Sequence, residues 1–211
     1  MIPDRKEWTE ALVSRHGAEL HKKFYSATVA VCGLGGLGSN IAIALARAGI
    51  GKLLLIDFDR VDISNLHRQQ YKANQIGRCK ADALAENLSE ISPYTEIKAM
   101  SVKITEHNLA ALLKDANIVC EAFDNAQSKA MLVNGVLEHL PDCYLVAASG
   151  MAGMGTPNTI RTRKITKRFY LCGDEVSDVA DTIGLVAPRV MLCAAHQAHT
   201  ALRILAGEYE V

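Results

Sequence analysis

No Cys-x-x-Cys pair occurs in the chain. Its six cysteines, at positions 32, 79, 120, 143, 172 and 193, stand singly, which excludes a disulfide scaffold and argues against zinc sites built from paired thiolates. Charge of one sign is also lacking. Lys+Arg and Asp+Glu number 23 each, a formal net charge of zero, whereas a protein that grips a phosphate backbone carries a surplus of Lys and Arg. Nucleic acid is therefore not expected as the main partner. No apolar run reaches the ~20 residues that a bilayer span requires, and the charges of the first seven residues have no apolar stretch behind them, unlike a signal peptide. The expectation is a cytoplasmic protein with reduced thiols and no membrane contact. Low-complexity linkers, internal repeats and long charge blocks are absent too, so 211 residues with 49% hydrophobic content make one domain with a sizeable core.

What is present is an alternation of short β-branched runs with longer helical patterns, the mark of a parallel sheet wrapped by crossover helices. Near-continuous apolar strands are expected at 28–32, 52–56, 96–100, 117–120 and 144–148, with helices at about 37–48, 78–91, 105–114 and 125–139. Beyond Gly150 the pattern changes. Residues 158–165 alternate polar and apolar, as a half-exposed antiparallel strand does, and a long Ala-rich helix is expected from Pro188 to about Ala206, with Gly207 as its stop. The fold class is thus α/β: a Rossmann-like, mostly parallel sheet with helices on both faces and a C-terminal antiparallel extension. The organisation is expected to be a helical segment (1–26), a nucleotide-binding core (27–150) and a C-terminal part (151–211).

Gly33-Leu34-Gly35-Gly36-Leu37-Gly38 follows the first strand and opens the first helix of this core, and Asp57 ends the second strand. Glycines let the backbone approach a phosphate, free N–H groups at a helix start attract an anion, and a carboxylate at the strand tip can accept ribose hydroxyls. By itself this says nucleotide of adenosine type; NAD, FAD, S-adenosylmethionine and ATP all use such turns. The next stretch is less generic: Asp57-Phe58-Asp59-Arg60-Val61-Asp62-Ile63-Ser64-Asn65-Leu66-His67-Arg68-Gln69-Gln70, then Gly77-Arg78-Cys79-Lys80. Asn65, Arg68, Gln69 and Lys80 are donors of the kind that hold a nucleoside triphosphate, Arg68 by forking onto two oxygens and Lys80 as a point charge.

With these motifs the chain resembles the ThiF/MoeB family, adenylyltransferases related to ubiquitin-activating enzymes that act on small sulfur carriers. The resemblance covers about residues 25–165. It implies nucleotide contacts for Gly33, Gly35, Gly36, Gly38, Asp57, Asp59, Ser64, Asn65, Leu66, Arg68, Gln69, Lys80, Asp124 and Asn125, with Gly36 against the nucleotide, Asp57 on the ribose, Arg68 and Lys80 on the phosphates and Asp124 on Mg²⁺. The implied reaction is attack by a carrier's C-terminal glycine carboxylate on ATP, needing alignment and charge neutralisation rather than a general base. The carrier is a ubiquitin-like protein ending in Gly-Gly, of ThiS type, and residues 151–211 would bind it.

The resemblance further implies a homodimer, because an arginine from the partner's N-terminal segment completes the family's site; Arg15 is the candidate here, against a plain surface role. Two departures matter. Without Cys-x-x-Cys pairs no zinc is expected, and the family's crossover-loop cysteine is replaced by Ala180, leaving Cys172 as a substitute whose acidic neighbours favour an inert thiol. The alternatives are activation of a molybdopterin-synthase-type carrier, a tRNA-modifying dehydratase of the same superfamily, an NAD-dependent oxidoreductase, and a non-catalytic nucleotide-binding scaffold. The oxidoreductase reading leaves Asn65, Arg68, Lys80 and Asp124 unexplained.

Overall fold

A computed structural model describes residues 2–211. Its centre is a seven-stranded sheet: β1 (Thr28–Cys32), β2 (Lys52–Ile56), β3 (Glu96–Met100), β4 (Ile118–Glu121), β5 (Tyr144–Ala148), β6 (Arg161–Lys164) and β7 (Phe169–Gly173), in the spatial order β3-β2-β1-β4-β5-β7-β6. All neighbours are parallel except β6, which runs antiparallel to β7. Side chains alternate across the strands. Val29, Val31, Leu53 and Leu55 join one core layer, while Ala30, Cys32, Leu54 and Ile56 join the other, so the inner strands read as unbroken apolar runs.

The first layer is covered by α3 (Gly36–Arg47), α4 (Lys80–Ile91) and α7 (Ala187–Ala206), through Ile41, Leu45, Leu84, Leu88, Val190 and Ile204 among others. The second is covered by α5 (Leu109–Leu113) and α6 (Ala126–His139), through Leu109, Leu113, Leu132 and Val136. Burying each such side chain contributes about 1.5–3 kcal/mol. The fold class expected from the sequence is the one observed, with helices on both faces.

The N-terminal segment forms two helices, α1 (Arg5–His16) and α2 (Ala18–Tyr25). Asp4 and Glu7 form a capping box at the start of α1, and Gly17, at φ 84°, separates the two helices. Leu12 packs on Gly49 and Trp8 on Tyr94, so α1 lies beside the N-terminal ends of the strands.

Three elements differ from the sequence reading. The expected strand at 158–165 is a 3-10 turn at Pro157–Thr159 followed by β6, and the helix expected at 105–114 shrinks to α5. The third difference bears on function: Phe169–Gly173, read as part of a crossover loop, is β7, an inner strand between β5 and β6. Pairing with β5 on one side and β6 on the other satisfies its backbone, and Tyr170 and Cys172 are buried.

Candidate functional site

Strand order reverses at β1: the chain moves outward through β2 and β3, then crosses back to place β4 on β1's other side. The crevice at the C-terminal ends of β1 and β4 is therefore a topological switch point, where open α/β sheets bind ligands. The Gly33–Gly38 turn leaves β1 at this point and opens α3 with no side-chain cap, so its first N–H groups are free. Closeness demands the glycines. A Cβ on Gly38 would meet Gly33 O at 1.8 Å, and one on Gly33, itself at φ 89°, would meet Ala122 O at 2.8 Å.

Asp57, at the end of β2, braces this turn. Its carboxylate accepts the Leu34 N–H at 2.6 Å and the Asp59 N–H at 2.8 Å. Burial pushes its pKa up, against those two amides and the nearby Lys80 charge. Asp59 is more open and accepts from Lys80 Nζ at 2.9 Å; the Lys80 side chain is 8% exposed and that of Asp59 48%. Lys80, at the first position of α4, is thus a buried cation held at the rim by one half-exposed carboxylate.

Arg68 lies against the start of α3, its Cγ 3.4 Å from where a Gly36 Cβ would be. Its Nη1 donates to Ser64 O at 3.2 Å, but its Nε is buried and finds no partner among the described residues. The neighbouring Gln69 is buried and its Oε1 is likewise unpartnered, while its Nε2 is 3.7 Å from a Gly35 Cβ position. A buried donor and a buried acceptor left open beside a glycine turn are costly unless a ligand meets them. These orphaned atoms fit a nucleotide, which supplies both acceptors and donors.

Several further expectations meet the structure here. Ser64 and Asn65 spend their side chains locally: Ser64 Oγ donates to Asp62 at 2.6 Å and Asn65 Oδ1 accepts the Asp62 N–H at 3.2 Å, shaping the 3-10 turn that carries Arg68. Leu66 is half-buried and packs against the core on the α7 side. Gly36 meets protein before ligand, because a Cβ there would fall 2.9 Å from Val190 Cγ1. Asp124 is exposed, just past β4, and Asn125 caps α6 by accepting the Ser128 N–H at 2.8 Å. Phe123 lies near Gly33, so Asp124 belongs to the β4 side of the same crevice.

Arg15 is exposed on α1, at the opposite end of the sheet from this crevice, out of reach of its own site. Cys172 lies not in a crossover loop but in β7, fully buried, and burial pushes its thiol up to about 11 despite hydrogen bonding to Thr162 and Thr200. A strand-bound protonated thiol is a poor nucleophile. Its acidic neighbours in sequence do not set this value; desolvation does. Ala180 sits exposed in the loop that follows β7. Among the described residues no group of three or more His, Cys, Asp or Glu could hold a metal ion, and His196, on α7, bonds Thr162 Oγ1 at 3.0 Å.

Sequence reasoning missed three supporting arrangements. Tyr71 donates to Leu34 O at 2.7 Å, holding the glycine turn from beneath. Asn40 donates to Gly36 O at 2.7 Å and accepts from Gln70 Nε2 at 2.7 Å, tying the Arg68 segment to α3. Beside β4, the partly exposed Lys129 pairs with the buried Glu121 at 3.0 Å, bracing the turn that carries Asp124. Their signal in the sequence was polar residues on apolar faces, which alone names no partner.

Fold and crevice together define a Rossmann-like nucleotide-binding protein whose rim is rich in phosphate-type donors. The chain belongs to the ThiF family, which it matches over residues 9–211. It is 31% identical over 182 residues to the molybdopterin-synthase adenylyltransferase of Escherichia coli K12, covering 85% of this chain and 73% of that protein. It is 30% identical over 199 residues to the sulfur carrier protein ThiS adenylyltransferase of Bacillus subtilis 168, covering 91% of this chain and spanning 58% of that protein's length. The E. coli tRNA N6-threonylcarbamoyladenosine dehydratase, solved in complex with ATP, has the same fold: TM-score 0.86 at 23% identity, over 99% of this chain and 98% of that one.

Proposed function

We propose that this protein uses ATP to adenylate the C-terminal glycine carboxylate of a small ubiquitin-like sulfur carrier of ThiS type, in the thiazole branch of thiamine biosynthesis. The observation that carries this reading is the pair of buried, unpartnered atoms, Arg68 Nε and Gln69 Oε1, beside the glycine turn. The relative that acts on ThiS supports the choice of acceptor.

In this reading a carboxylate oxygen of the carrier attacks the α-phosphorus of ATP, the new O–P bond forms as the bond to the bridging oxygen breaks, and pyrophosphate leaves. A carboxylate is already a nucleophile, so no protein base is required. The chain's work is to hold the triphosphate over the α3 N-terminus and neutralise charge accumulating on it, with Arg68 and Lys80 as the cations. Asp59 and Asp57 stand at the ribose end, the half-exposed Asp59 being freer to accept hydroxyls. Asp124 would hold Mg²⁺, which takes one or two protein carboxylates and fills its shell with phosphate oxygens and water. In this reading a homodimer brings Arg15 of a second copy to the rim, since Arg15 lies far from its own crevice.

The test is ATP–pyrophosphate exchange with Mg²⁺, offering purified ThiS, a molybdopterin-synthase-type carrier and unmodified tRNA separately. Exchange driven by ThiS is expected. Exchange driven by the second carrier alone would reassign the partner, and tRNA-dependent turnover of ATP would favour the dehydratase reading, which the fold match supports and the neutral charge opposes.

A further inference from the structure

Arg189, in the first turn of α7, is 6% exposed, and its guanidinium is wholly engaged away from the nucleotide crevice. Its Nε donates to Ala152 O at 3.1 Å, Nη1 to Gly155 O at 2.8 Å and Thr156 O at 3.0 Å, and Nη2 to Thr159 Oγ1 at 3.1 Å and to Asp174 Oδ2 at 2.5 Å. Asp174, just past β7, turns its other oxygen to the Ser177 N–H at 2.8 Å, the Ser177 hydroxyl at 3.0 Å and the Val176 N–H at 3.0 Å. The segment Gly150–Thr159 and the loop after β7 are thereby laced together. Gly153 N–H donates to Gly184 O at 2.7 Å and Ala152 N–H to Ser177 Oγ at 3.0 Å, and a Cβ on Gly150 would strike Asp174 Oδ1 at 2.1 Å.

A buried, fully hydrogen-bonded ion pair anchors this loop. Such a pair is costly to desolvate and does little for stability that apolar packing would not do, but it fixes geometry. The geometry it fixes has a second end. Val190, the next residue on α7, packs on Gly36 at the mouth of the glycine turn. One helical turn therefore touches the nucleotide turn with Val190 and the Gly150–Thr159 segment with Arg189.

We infer that Arg189 and Asp174 are positioning residues for the acceptor: they hold Gly150–Thr159, which leaves the C-terminal end of β5 next to β4 and the crevice, in the shape that receives the carrier's tail. This rests on the carrier-adenylation reading above. Neither side chain touches the reacting atoms; their effect falls on how well the acceptor is placed, not on ATP.

The test compares wild type, Arg189→Lys and Thr159→Val in exchange assays with ThiS ending in Gly-Gly, in calorimetric ATP binding, and in peptide-level hydrogen exchange. Lysine keeps the charge opposite Asp174 but cannot make the fork of contacts. Arg189→Lys is expected to bind ATP as wild type does while needing about tenfold more carrier for half-maximal exchange. Its amides should lose protection over 150–159 and 174–184 and keep it over the β1 strand at 28–32. Thr159→Val, which loses one hydroxyl contact, is expected to shift carrier half-saturation about threefold in the same direction. With an active wild type, unchanged half-saturation in these variants overturns the inference, as does an equal loss of ATP binding. Should Arg189→Lys fail to fold, Thr159→Val decides by the same criterion. No carrier-dependent exchange by wild type would overturn the adenylation reading instead. The latch would then be judged by hydrogen exchange, and overturned if Arg189→Lys, or Thr159→Val where the lysine variant does not fold, leaves 150–159 protected.

Discussion

Val190 fills the space that a side chain on Gly36 would need: a Cβ there would lie 2.9 Å from Val190 Cγ1. The first turns of α3 and α7 thus share one contact, and Gly36 serves helix packing before it serves any ligand. Gly36→Ala is expected to cost about 1–3 kcal/mol through overpacking. Val190→Ala alone opens a cavity costing about 2 kcal/mol, less than a larger aliphatic truncation. The double variant should cost clearly less than the sum, because the added methyl enters the vacated space. Urea denaturation of the four proteins reads this directly, and strict additivity would contradict the contact.

Lys80 and Arg68 are expected to matter for turnover far more than for folding. Lys80→Met leaves Asp59 half-exposed and able to hydrate, so stability should move by no more than about 1 kcal/mol. Pyrophosphate exchange should fall by on the order of 100-fold, the usual effect of losing one charge-stabilising group. Arg68→Lys, which keeps charge but removes the buried Nε, should also lose activity. Steady-state exchange and thermal melts on the same samples separate the two effects.

The Glu121–Lys129 pair makes the opposite prediction. Glu121 is fully buried, burial pushes its pKa up, and Lys129, donating at 3.0 and 3.2 Å, is the cation opposing that shift. Lys129→Met strands a buried carboxylate and is expected to cost about 3–5 kcal/mol. Adding Glu121→Gln removes the stranded charge while keeping an acceptor for the Phe123 N–H, so the double variant should recover much of the loss. A double variant weaker than Lys129→Met would show that the charge is not the cause.

Acid should weaken the fold through histidine before it does so through carboxylates. Burial, helped by His21, lowers the pKa of His16, and burial, helped by His199, lowers that of His196. In each case the unfolded chain takes up a proton near pH 6.5 while the folded protein does not until lower pH. The unfolded state binds more protons in that interval, so stability falls as pH drops from about 7 to 5.5. Replacing both with Gln should flatten the melting temperature across this window; an unchanged slope would contradict the assignment.

Thiol chemistry should distinguish Cys79 from the rest. It is half-exposed, whereas the other five cysteines are buried, with Cys172 pushed up to about 11 and Cys143 and Cys193 to about 12. Iodoacetamide on the native protein is expected to label Cys79 and spare Cys172, as peptide mass spectrometry would show. Cys172→Ala should keep exchange activity, since the proposed reaction needs no covalent enzyme intermediate. Its abolition in a folded variant would restore a role for this thiol.

Much of the fold was legible because its strands advertise themselves. Val29-Ala30-Val31-Cys32 and Leu53-Leu54-Leu55-Ile56 are buried on both faces and read as unbroken apolar runs. β7 was lost for a physical reason: five residues ending in Gly173 and flanked by Thr166-Lys167-Arg168 and Asp174-Glu175 look like loop, and its identity as a strand comes from partners far away in sequence. At the crevice the glycine turn, Asp57, Arg68 and Lys80 stood out by residue type and spacing. What spacing could not give was allegiance. Asp57 turns both oxygens to backbone amides, Asp59 holds Lys80, and Arg189, a lone arginine after a proline, becomes the anchor of a distant loop. Those pairings are set by tertiary approach, which local pattern does not encode.

The most direct measurement is Mg²⁺-dependent ATP–pyrophosphate exchange with intact ThiS beside a copy lacking its final glycine. The account predicts exchange with the intact carrier, none with the truncated one, and loss in Arg68→Ala. Equal exchange with both carriers, or none with either while ATP still binds, would contradict it.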